Sequence, residues 1–526
     1  MVEAIKELLK DYGRKIMTHD DLEAHKRLIC KKYKLAALLN SDILREYRLM
    51  IKQEAYDVNL NLEKVLRKRA VRTLSGIAPV AVLTKPYPCP GHCAYCPHEK
   101  EVPTSYLSNE PAVMRAIRCQ YNPYKQVLLR LRALENNGHE PTKIEIIVIG
   151  GTWSYLPIRY KYWYILNCFK AANDYQTAKI DLKNLYRQNI SLIELKRLLK
   201  KEQDKNERAK YQIIGLTLET RPDYINVAEL LEMRELGCTR VEIGVQAIDD
   251  NILKINKRGH GVKETTEATQ LLKQYGFKVT YHLMPALPGA TPAKDLVLFK
   301  KLFNDERFQP DQIKFYPTVV TRGSLLYRWY QQGKYKPYSD RVLQKLVADC
   351  KSLVPPYVRI IRLIRDIPEE SIVAGNKITN LRQIMQARGV KCNCIRCREV
   401  KDGQIKSGWA LNILGYRASG GQEYFISVDG ADGRTLYGFC RLRFDSVSPI
   451  APALIRELHV YGELVSVGRA KKVQHSGLGR KLLHAAEELA KNLGAQKIAV
   501  ISGVGVRGYY KKFGYRLQKS YMVKKI

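Results

Sequence analysis

The sequence lacks any apolar run that could cross a membrane. A membrane-spanning helix needs about 18 consecutive apolar residues, whereas the longest run here, residues 77–83, is strand-sized and contains a proline. Residues 1–12 have the pattern of an amphipathic helix without the apolar segment of a signal peptide. We therefore expect a cytoplasmic protein with no membrane association.

Acidic residues are few relative to basic ones. The 526 residues include 89 Lys and Arg but only 52 Asp and Glu, which gives a formal net charge of +37 and a pI ≈ 9.7. Such an excess predicts a polyanionic partner, and a solvated basic surface is the alternative.

The first 75 residues carry many basic side chains, namely Lys31, Lys32, Lys34, Arg45, Arg48, Lys64, Arg67, Lys68, Arg69 and Arg72. On one helical face these side chains could follow a phosphate backbone, or they could simply keep a small domain soluble.

Disulfides are not expected, because six of the twelve cysteines fall in two tight clusters that are typical of metal sites in a reducing compartment. In the first cluster, Cys89, Cys93 and Cys96 have C-x3-C-x2-C spacing after the first predicted strand of a barrel. Three thiolates on one loop can hold three irons of a [4Fe–4S] cubane and leave the fourth iron open for S-adenosylmethionine. A zinc site completed by His92 or His98 is the alternative.

The second cluster, Cys392, Cys394 and Cys397, has C-x-C-x2-C spacing. Three thiolates so arranged suit zinc, with a fourth ligand from elsewhere in the chain. Incidental thiols beside a basic loop are the alternative.

Periodicity divides the chain into four regions. Residues 1–75 are helical and basic, residues 76–368 alternate strands with helices, residues 369–405 form a Cys-containing linker, and residues 406–526 form an α+β domain. Repeated β/α units predict a parallel sheet closed as a complete or partial TIM-type barrel. Its predicted strands are 80–84, 144–149, 213–218, 240–246, 278–284, 312–316 and 358–363. Residues 155–210 are predicted to interrupt the repeat as a long polar helical insertion.

Polar residues and glycines stand where several barrel strands end, at the edge where such barrels place their active sites. They are Gly150, Gly151, Glu219, Arg221, Gln246 and Lys314. We expect Lys314 to place a charge in the catalytic cavity and the others to contact S-adenosylmethionine. A rim of salt bridges is the alternative.

The last region contains a glycine-rich loop before a predicted helix over residues 477–492. Gln474, Gly477, Gly479 and Arg480 form a Q-x-x-G-x-G-R sequence, which presents backbone N–H groups to a pyrophosphate. This loop resembles the acetyl-CoA loop of the GNAT-like acetyltransferase fold. Strands are predicted at residues 423–428, 435–444, 457–467 and 497–501. Tyr509 and Tyr510 follow at the position where such folds place a tyrosine near the thioester, although one could pack against the cofactor and the other fill the core.

These features together resemble the catalytic subunit of Elongator, the family that modifies the wobble uridine of tRNA. The resemblance runs from about residue 73 to 526 and rests on strings that include 75–82, 219–224, 241–246, 258–260, 314–318, 365–368, 456–462 and 498–507. It implies a radical S-adenosylmethionine barrel followed by an acetyl-CoA-binding domain. It also implies the chemistry: a 5′-deoxyadenosyl radical activates the acetyl methyl group, which adds to C5 of uridine and leaves 5-carboxymethyluridine after hydrolysis of the thioester.

The resemblance also implies residue roles. Cys89, Cys93 and Cys96 match the cluster ligands, and Lys143 matches a barrel lysine implicated in acetyl-CoA binding. The acetyl-CoA contacts match Glu457, Leu458, His459, Val460, Leu478, Gly479, Arg480 and Tyr510. Two departures stand out: residues 96–99 read Cys-Pro-His-Glu where the family often has Cys-Pro-Gly-Gly, and all three cysteines of the second cluster are present.

The expected partner is tRNA, engaged at its anticodon stem-loop, and a second copy of the chain or accessory subunits could join it. The rival enzyme hypothesis is a lysine acetyltransferase acting on protein, which leaves the barrel cysteines and the positive charge unexplained. The non-enzymatic hypothesis is an RNA-binding scaffold with a vestigial barrel, which the complete cysteine triad argues against.

Overall fold

The structure is a computed structural model that describes residues 1–66, 76–175, 185–400, 408–462 and 477–526, without the side chain of Leu60. Several sequence-based assignments therefore lie outside the described residues. These are Arg67, Lys68, Arg69 and Arg72 of the basic region, Gln474 of the glycine-rich loop, and the end of the predicted strand 457–467.

The N-terminal region is a small helical unit with its own core. It consists of α1 (Val2–Glu7), a π-helical turn (Leu8–Tyr12), α2 (His19–Lys32), α3 (Asn40–Lys52) and α4 (Leu60–Leu66). Ile5, Leu8, Leu9 and Ile16 are all buried, as their helical spacing predicts. Arg48 is exposed and donates a hydrogen bond to the carbonyl of Glu135 at 2.8 Å, which connects α3 to the next domain.

The second region is built from short strands that alternate with helices. The strands are β1 (Ala78–Leu83), β2 (Lys143–Ile149), β3 (Gln212–Thr220), β4 (Arg240–Gln246), β5 (Lys278–Leu283), β6 (Gln312–Phe315), β7 (Val320–Thr321), β8 (Arg359–Arg362) and β9 (Ile372–Ala374). The helices are α5 (Pro111–Arg118), α6 (Pro123–Asn136), α7 (Ile158–Asp174), α8 (Leu192–Asn206), α9 (Val227–Glu235), α10 (Asp250–Ile255), α11 (Val262–Gln274), α12 (Pro292–Asn304), α13 (Leu325–Gln331), α14 (Asp340–Ser352), α15 (Leu381–Ala387) and α16 (Ile395–Arg398).

Seven of these strands form one parallel sheet in the order β1-β2-β3-β4-β5-β6-β8. The sheet is thus a partial barrel, and all seven predicted strands are present with bounds that agree to within two residues. β7 and β9 form a separate antiparallel pair.

The predicted polar insertion at residues 155–210 is wrong for its first half. α7 is the crossover helix between β2 and β3, and thirteen of its seventeen residues are buried. Its tyrosines and tryptophan gave the segment a polar pattern, yet their rings pack in the core while their polar atoms find partners. The indole of Trp163, for example, donates to the carbonyl of Tyr186 at 2.7 Å.

The C-terminal region is a mixed sheet with one long helix. Its strands are β10 (Trp409–Ala418), β11 (Gly421–Gly430), β12 (Leu436–Phe444), β13 (Ala453–Val460), β14 (Lys497–Val500), β15 (Arg516–Gln518) and β16 (Tyr521–Lys525), and its helices are α17 (Leu478–Asn492) and α18 (Arg507–Lys511). The sheet order is β10-β11-β12-β13-β14-β16-β15. The edge strand β10 was missed by the sequence patterns.

Two parallel strands of this sheet pair along only part of their length. β13 pairs with β14 through Ala453, Leu454 and Ile455, where β14 ends at Val500, whereas β13 continues to Val460. Residues 456–460 of β13 and residues 501–503 after β14 border a slot between them. The N-terminus of α17 and the start of α18 lie at this slot.

The two domains share a buried ion network. Arg456 of β13 donates to Asp311, next to β6, at 2.9 Å and to Glu423 of β11 at 3.1 Å. Lys273 of α11 lies 3.7 Å from Asp311 and 3.6 Å from Glu423. All four side chains are almost completely excluded from solvent. Burial lowers the pKa of Lys273 to about 8, although both carboxylates oppose this shift.

Backbone packing reinforces the network. A Cβ atom on Gly503, in the turn after β14, would lie 2.0 Å from the carbonyl oxygen of Ile214 in β3. Only glycine permits this approach, which brings the turn against the first residues of β3. Among the described helices, none is long and apolar enough to cross a membrane.

We predict that Arg456→Ala destabilises the protein by about 3–5 kcal/mol, because the substitution leaves two buried carboxylates undercompensated. The measurement is the free energy of unfolding from denaturant titration. The matched control is Arg417→Ala, which breaks the exposed pair with Glu306 (3.0 Å) and should cost less than about 1 kcal/mol. Equal losses in the two variants would contradict the proposed importance of the buried network.

Candidate active site

One cavity of about 1590 Å³ is lined by all seven strands of the barrel sheet and by β12, β13 and the start of α17. It brings together most of the residues singled out from the sequence. Those that line it are Cys89, Cys93, Cys96, Lys143, Gly151, Glu219, Arg221, Gln246, Lys314, Glu457, Leu458, His459, Val460, Gly477, Gly479, Arg480, Tyr509 and Tyr510.

A few candidates are placed elsewhere. Leu478 is buried in the core, so its side chain packs instead of lining the cavity. Gly150 has φ +126°, and a Cβ there would lie 2.3 Å from Thr84 Oγ1, so it serves the close packing of two strand ends. By contrast, a Cβ on Gly151 would meet no atom within 4 Å, which leaves open space above the strand end.

The first cysteine cluster lies on the loop after β1, at the carboxyl edge of the barrel. The loop is anchored by backbone hydrogen bonds from Ala94 to the carbonyl of Asn256 (3.0 Å) and from Leu326 to the carbonyl of Ala94 (2.7 Å). The Arg258 guanidinium donates to Cys93 Sγ at 3.2 Å. A hydrogen bond from Cys96, together with the charge of Arg258, lowers the pKa of Cys93 to about 4. The arrangement therefore favours a thiolate.

The zinc alternative for this loop has no structural support. His92 and His98 are both exposed, and neither side chain lines the cavity beside the three cysteines. The carboxyl edge instead holds buried polar atoms that lack a hydrogen-bond partner among the described residues, including Arg221 Nη1 and Gln246 Oε1. These atoms, the open space at Gly151 and a three-thiol donor set fit a cubane cluster with a polar ligand on its open iron.

The strand-end residues are partly engaged with one another. Arg221 forms a bidentate pair with Asp223, with N–O distances of 3.0 and 2.8 Å. Glu219 Oε1 is 3.4 Å from His282 Nδ1. These side chains form ion pairs with one another and also line the cavity. The ion pairs therefore do not exclude the predicted contacts with S-adenosylmethionine.

A charged group that sequence reasoning missed lies deeper in the barrel. Glu242 is bonded to His282 Nε2 at 2.8 Å and to the ammonium group of Lys314. Burial opposes ionisation of Glu242, yet Lys314 and His282 hold its pKa well below the usual range. Lys314 therefore remains a cation inside the cavity, as the sequence predicted, but it acts as the partner of a buried carboxylate.

The slot between β13 and β14 forms the other end of the cavity. Glu457 lies 3.0 Å from Arg441 and 3.7 Å from Lys278 of the barrel. Although burial opposes ionisation, these charges lower the pKa of Glu457 to about 2. The first N–H groups of an α-helix have no partners within the helix, and Gly477, Gly479 and Arg480 at the start of α17 line the cavity, so this helix start suits a pyrophosphate.

Tyr509 and Tyr510 lie beside this slot, with ring centroids 5.3 Å apart. Burial raises the pKa of Tyr509 to about 12 and that of Tyr510 further. Both side chains are therefore neutral phenols near neutral pH, which suits hydrogen-bond donation and excludes a role as general base.

The second cysteine cluster lies outside this cavity. The sulfur atoms of Cys392, Cys394 and Cys397 all lie within 4.8 Å of one another. Hydrogen bonds from the other two thiols lower the pKa of Cys394. The group is compact enough to share one metal ion, as the spacing predicts.

The pattern that could have revealed the deeper residues is simple alternation. In β4 the side chains of Arg240, Glu242 and Gln246 share one face with Gly244, and all four positions line the cavity. The sequence-based prediction considered only residues at strand ends, so it included Gln246 but neither Arg240 nor Glu242.

Comparisons with known proteins agree with this geometry. The Radical SAM superfamily model matches residues 87–300, the Radical_SAM C-terminal domain model matches residues 310–389, and the acetyltransferase (GNAT) family model matches residues 401–515. A tRNA uridine(34) acetyltransferase of Dehalococcoides mccartyi is 46% identical over 87% of this chain and 99% of its own length. Elongator complex protein 3 of Homo sapiens is 39% identical over 87% of this chain and 86% of its own length.

The chain belongs to the Elongator complex protein 3 family. A solved structure, the archaeal Methanocaldococcus infernus Elp3 with an N-terminal deletion, is 37% identical, covers 86% of this chain and 99% of that one, and has a TM-score of 0.72. The predicted fold is confirmed: a radical S-adenosylmethionine partial barrel followed by a GNAT-like domain. The cofactors of this family architecture are a [4Fe–4S] cluster, S-adenosylmethionine and acetyl-CoA.

Proposed function

We propose that this protein modifies the wobble uridine of tRNA, converting it to 5-carboxymethyluridine with S-adenosylmethionine and acetyl-CoA. The observation that carries the proposal is the single cavity that joins the cysteine loop of the barrel to the slot of the acetyltransferase domain. A reaction that needs both a radical and an acetyl donor requires such a shared space. The names of relatives with 37–46% identity support the same substrate class.

The cluster residues are proposed to be Cys89, Cys93 and Cys96. These three residues would hold the cluster, and S-adenosylmethionine bound to it would supply the 5′-deoxyadenosyl radical needed to activate the acetyl methyl group. Gly151, Glu219, Arg221 and Gln246 would contact this cofactor, because their polar atoms and the open space at Gly151 face the same edge of the cavity.

Acetyl-CoA is proposed to lie in the slot between β13 and β14. Its pyrophosphate would meet the backbone of Gly477, Gly479 and Arg480, and its pantetheine arm would run past β13 (Ala453–Val460). Tyr509 and Tyr510 line the cavity as neutral phenols and would donate hydrogen bonds to the thioester or to the departing thiolate. Lys143 starts β2 at the barrel end that faces this slot.

The tRNA would bind through its anticodon stem-loop at the mouth of the barrel and along the basic N-terminal helices, in the cytoplasm. Lys31 and Lys32 are both exposed, and Lys32 also pairs with Glu7 at 2.7 Å. A second copy of the chain or accessory subunits could contribute further contacts. Lysine acetylation of a protein is the less suitable activity. Tyr509 lines the barrel cavity, and neither Tyr509 nor Tyr510 is suited to act as the general base that a lysine acceptor needs.

We predict that Cys89→Ala, Cys93→Ala and Cys96→Ala together abolish both 5′-deoxyadenosine and 5-carboxymethyluridine, because the cluster loses all its protein ligands. The measurement is mass spectrometry of nucleosides after anaerobic reaction of the reconstituted enzyme with both cofactors and tRNA. Cys30→Ala, which changes a half-buried cysteine of the N-terminal unit, serves as the control and should retain both products. Cleavage of S-adenosylmethionine by the triple variant would refute the assignment.

A structural zinc is proposed at Cys392, Cys394 and Cys397. Elemental analysis of the protein that lacks the first three cysteines should still find about one zinc per chain, since tetrahedral thiolate sites bind zinc tightly and contribute to folding. Cys394→Ala should lose the zinc and lower the melting temperature, whereas Cys350→Ala, a buried thiol outside this group, should keep the zinc. Freshly purified, unchelated protein without zinc would disprove this proposal.

A further inference from the structure

The cavity runs the whole length of the barrel instead of ending at its carboxyl edge. It is lined by residues at the starts of strands, such as Lys143, Arg240 and Lys278, and by residues at their ends, such as Gln246 and Met284. β2 alone spans seven residues, or about 20 Å at 3.3 Å per residue. In most barrels this interior is filled by layers of side chains, so an open interior needs an explanation.

One cavity-lining position on β3 has no side chain. Gly215 and Glu219 both line the cavity from β3, and of these two Gly215 lies nearer to the acetyltransferase domain, whose Gly503 approaches Ile214. A Cβ at Gly215 would meet its nearest atoms, in Glu145 and Thr239, at 3.5 and 3.6 Å, which is ordinary contact. Nothing in the packing therefore demands glycine at this position.

Gly244 on β4 offers an informative contrast. Its Cβ would lie 2.6 Å from Nη2 of Arg258, the residue that donates to Cys93. That glycine is explained by the guanidinium that fills its space. At Gly215, by contrast, a Cβ would make only ordinary contacts, and the residue borders the cavity.

The part of the cavity beside Gly215 adjoins the acetyltransferase domain. Ile214 and Gly215 line the cavity together with Ser502, Gly503 and Tyr509. The close approach of Gly503 to Ile214 puts the acetyltransferase domain directly against the start of β3. The acetyl-CoA slot therefore opens into the amino-terminal end of the barrel.

The wall beyond this opening is polar, and its charges are compensated. Arg240 binds Glu145 at 2.9 Å and the side-chain oxygen of Gln312 at 2.9 Å, and Glu242 is paired with His282 and Lys314. Glu242 Oε1 has no hydrogen-bond partner within the described parts of the chain. Compensated charges and a spare acceptor suit an uncharged, amide-bearing chain better than a free anion.

We propose that Gly215 keeps open a passage through which the acetyl-bearing arm of acetyl-CoA enters the barrel from its amino-terminal end. The acetyl group then meets the adenosyl radical inside the barrel, while the rest of the donor stays in the acetyltransferase domain. This inference rests on the proposed function and deepens it, because it assigns the route that connects the two cofactor sites.

The test is to close the passage with Gly215→Leu and to compare it with Gly215→Ala in the full-length, reconstituted enzyme. The leucine should lower formation of 5-carboxymethyluridine by about 100-fold, since misplacement of a reactant by as little as 1 Å can have that effect. It should leave tRNA binding and acetyl-CoA-independent cleavage of S-adenosylmethionine unchanged. The alanine variant should resemble the wild type, because its Cβ makes only ordinary contacts.

A second variant, on another strand, shows whether an effect of Gly215→Leu comes from blocking the cavity or from local damage to β3. Ile361 of β8 also lines the cavity, and Ile361→Trp should reproduce the selective loss of product even if Gly215→Leu does not fold. Full product formation by a folded closure variant would overturn the proposed passage and place the acetyl route outside the barrel. Failure of the wild type to make the product would instead count against the proposed function itself.

Discussion

The arrangement of the two domains depends on one buried carboxylate. Asp311, next to β6, accepts hydrogen bonds from Arg456 of the acetyltransferase-like sheet and shares its charge with Lys273 and Arg441. Burying so many charges is unfavourable unless each finds a partner. The pairing of Arg456 with Asp311 needs the two domains in the relative position seen here, and the Gly503 turn packs against β3 in that same position.

In the proposed function, this fixed position joins the two cofactor sites in the one cavity that both domains line. The cysteine loop lies at the carboxyl edge of the barrel, where barrel enzymes ordinarily act, and the acetyl-CoA slot lies at the opposite end. Because the barrel is open through its middle, each cofactor can occupy its own end. Neither has to leave its domain for the acetyl group to reach the radical.

Much of this could be predicted from the sequence, and the failures have identifiable physical causes. The β/α alternation located all seven barrel strands, and the cysteine spacing, glycine-rich loop and tyrosine pair each led to residues that line the cavity. α7 was misjudged because tyrosine and lysine read as polar although their rings and stems pack inside; Lys161, for instance, is buried against Glu229 and Glu232. β10 was missed because most of its residues are exposed, so the strand has no buried face to create an alternating pattern.

The interior charges were missed for a different reason. Alternation along β4 puts Arg240 and Glu242 on the same face as Gln246, but the closure of the sheet decides whether that face lines a cavity. The same holds for the pair of Asp311 and Arg456, which are 145 residues apart in sequence. Such pairs become visible only when the domains are placed together.

The central claim is that the acetyl methyl group and the adenosyl radical meet in this cavity. The most direct measurement is anaerobic turnover with acetyl-CoA that carries three deuterium atoms on its methyl carbon, followed by mass spectrometry of both products. Our account predicts one deuterium in 5′-deoxyadenosine and two in the carboxymethyl group of the uridine. Deoxyadenosine free of deuterium, alongside labelled modified uridine, would contradict it.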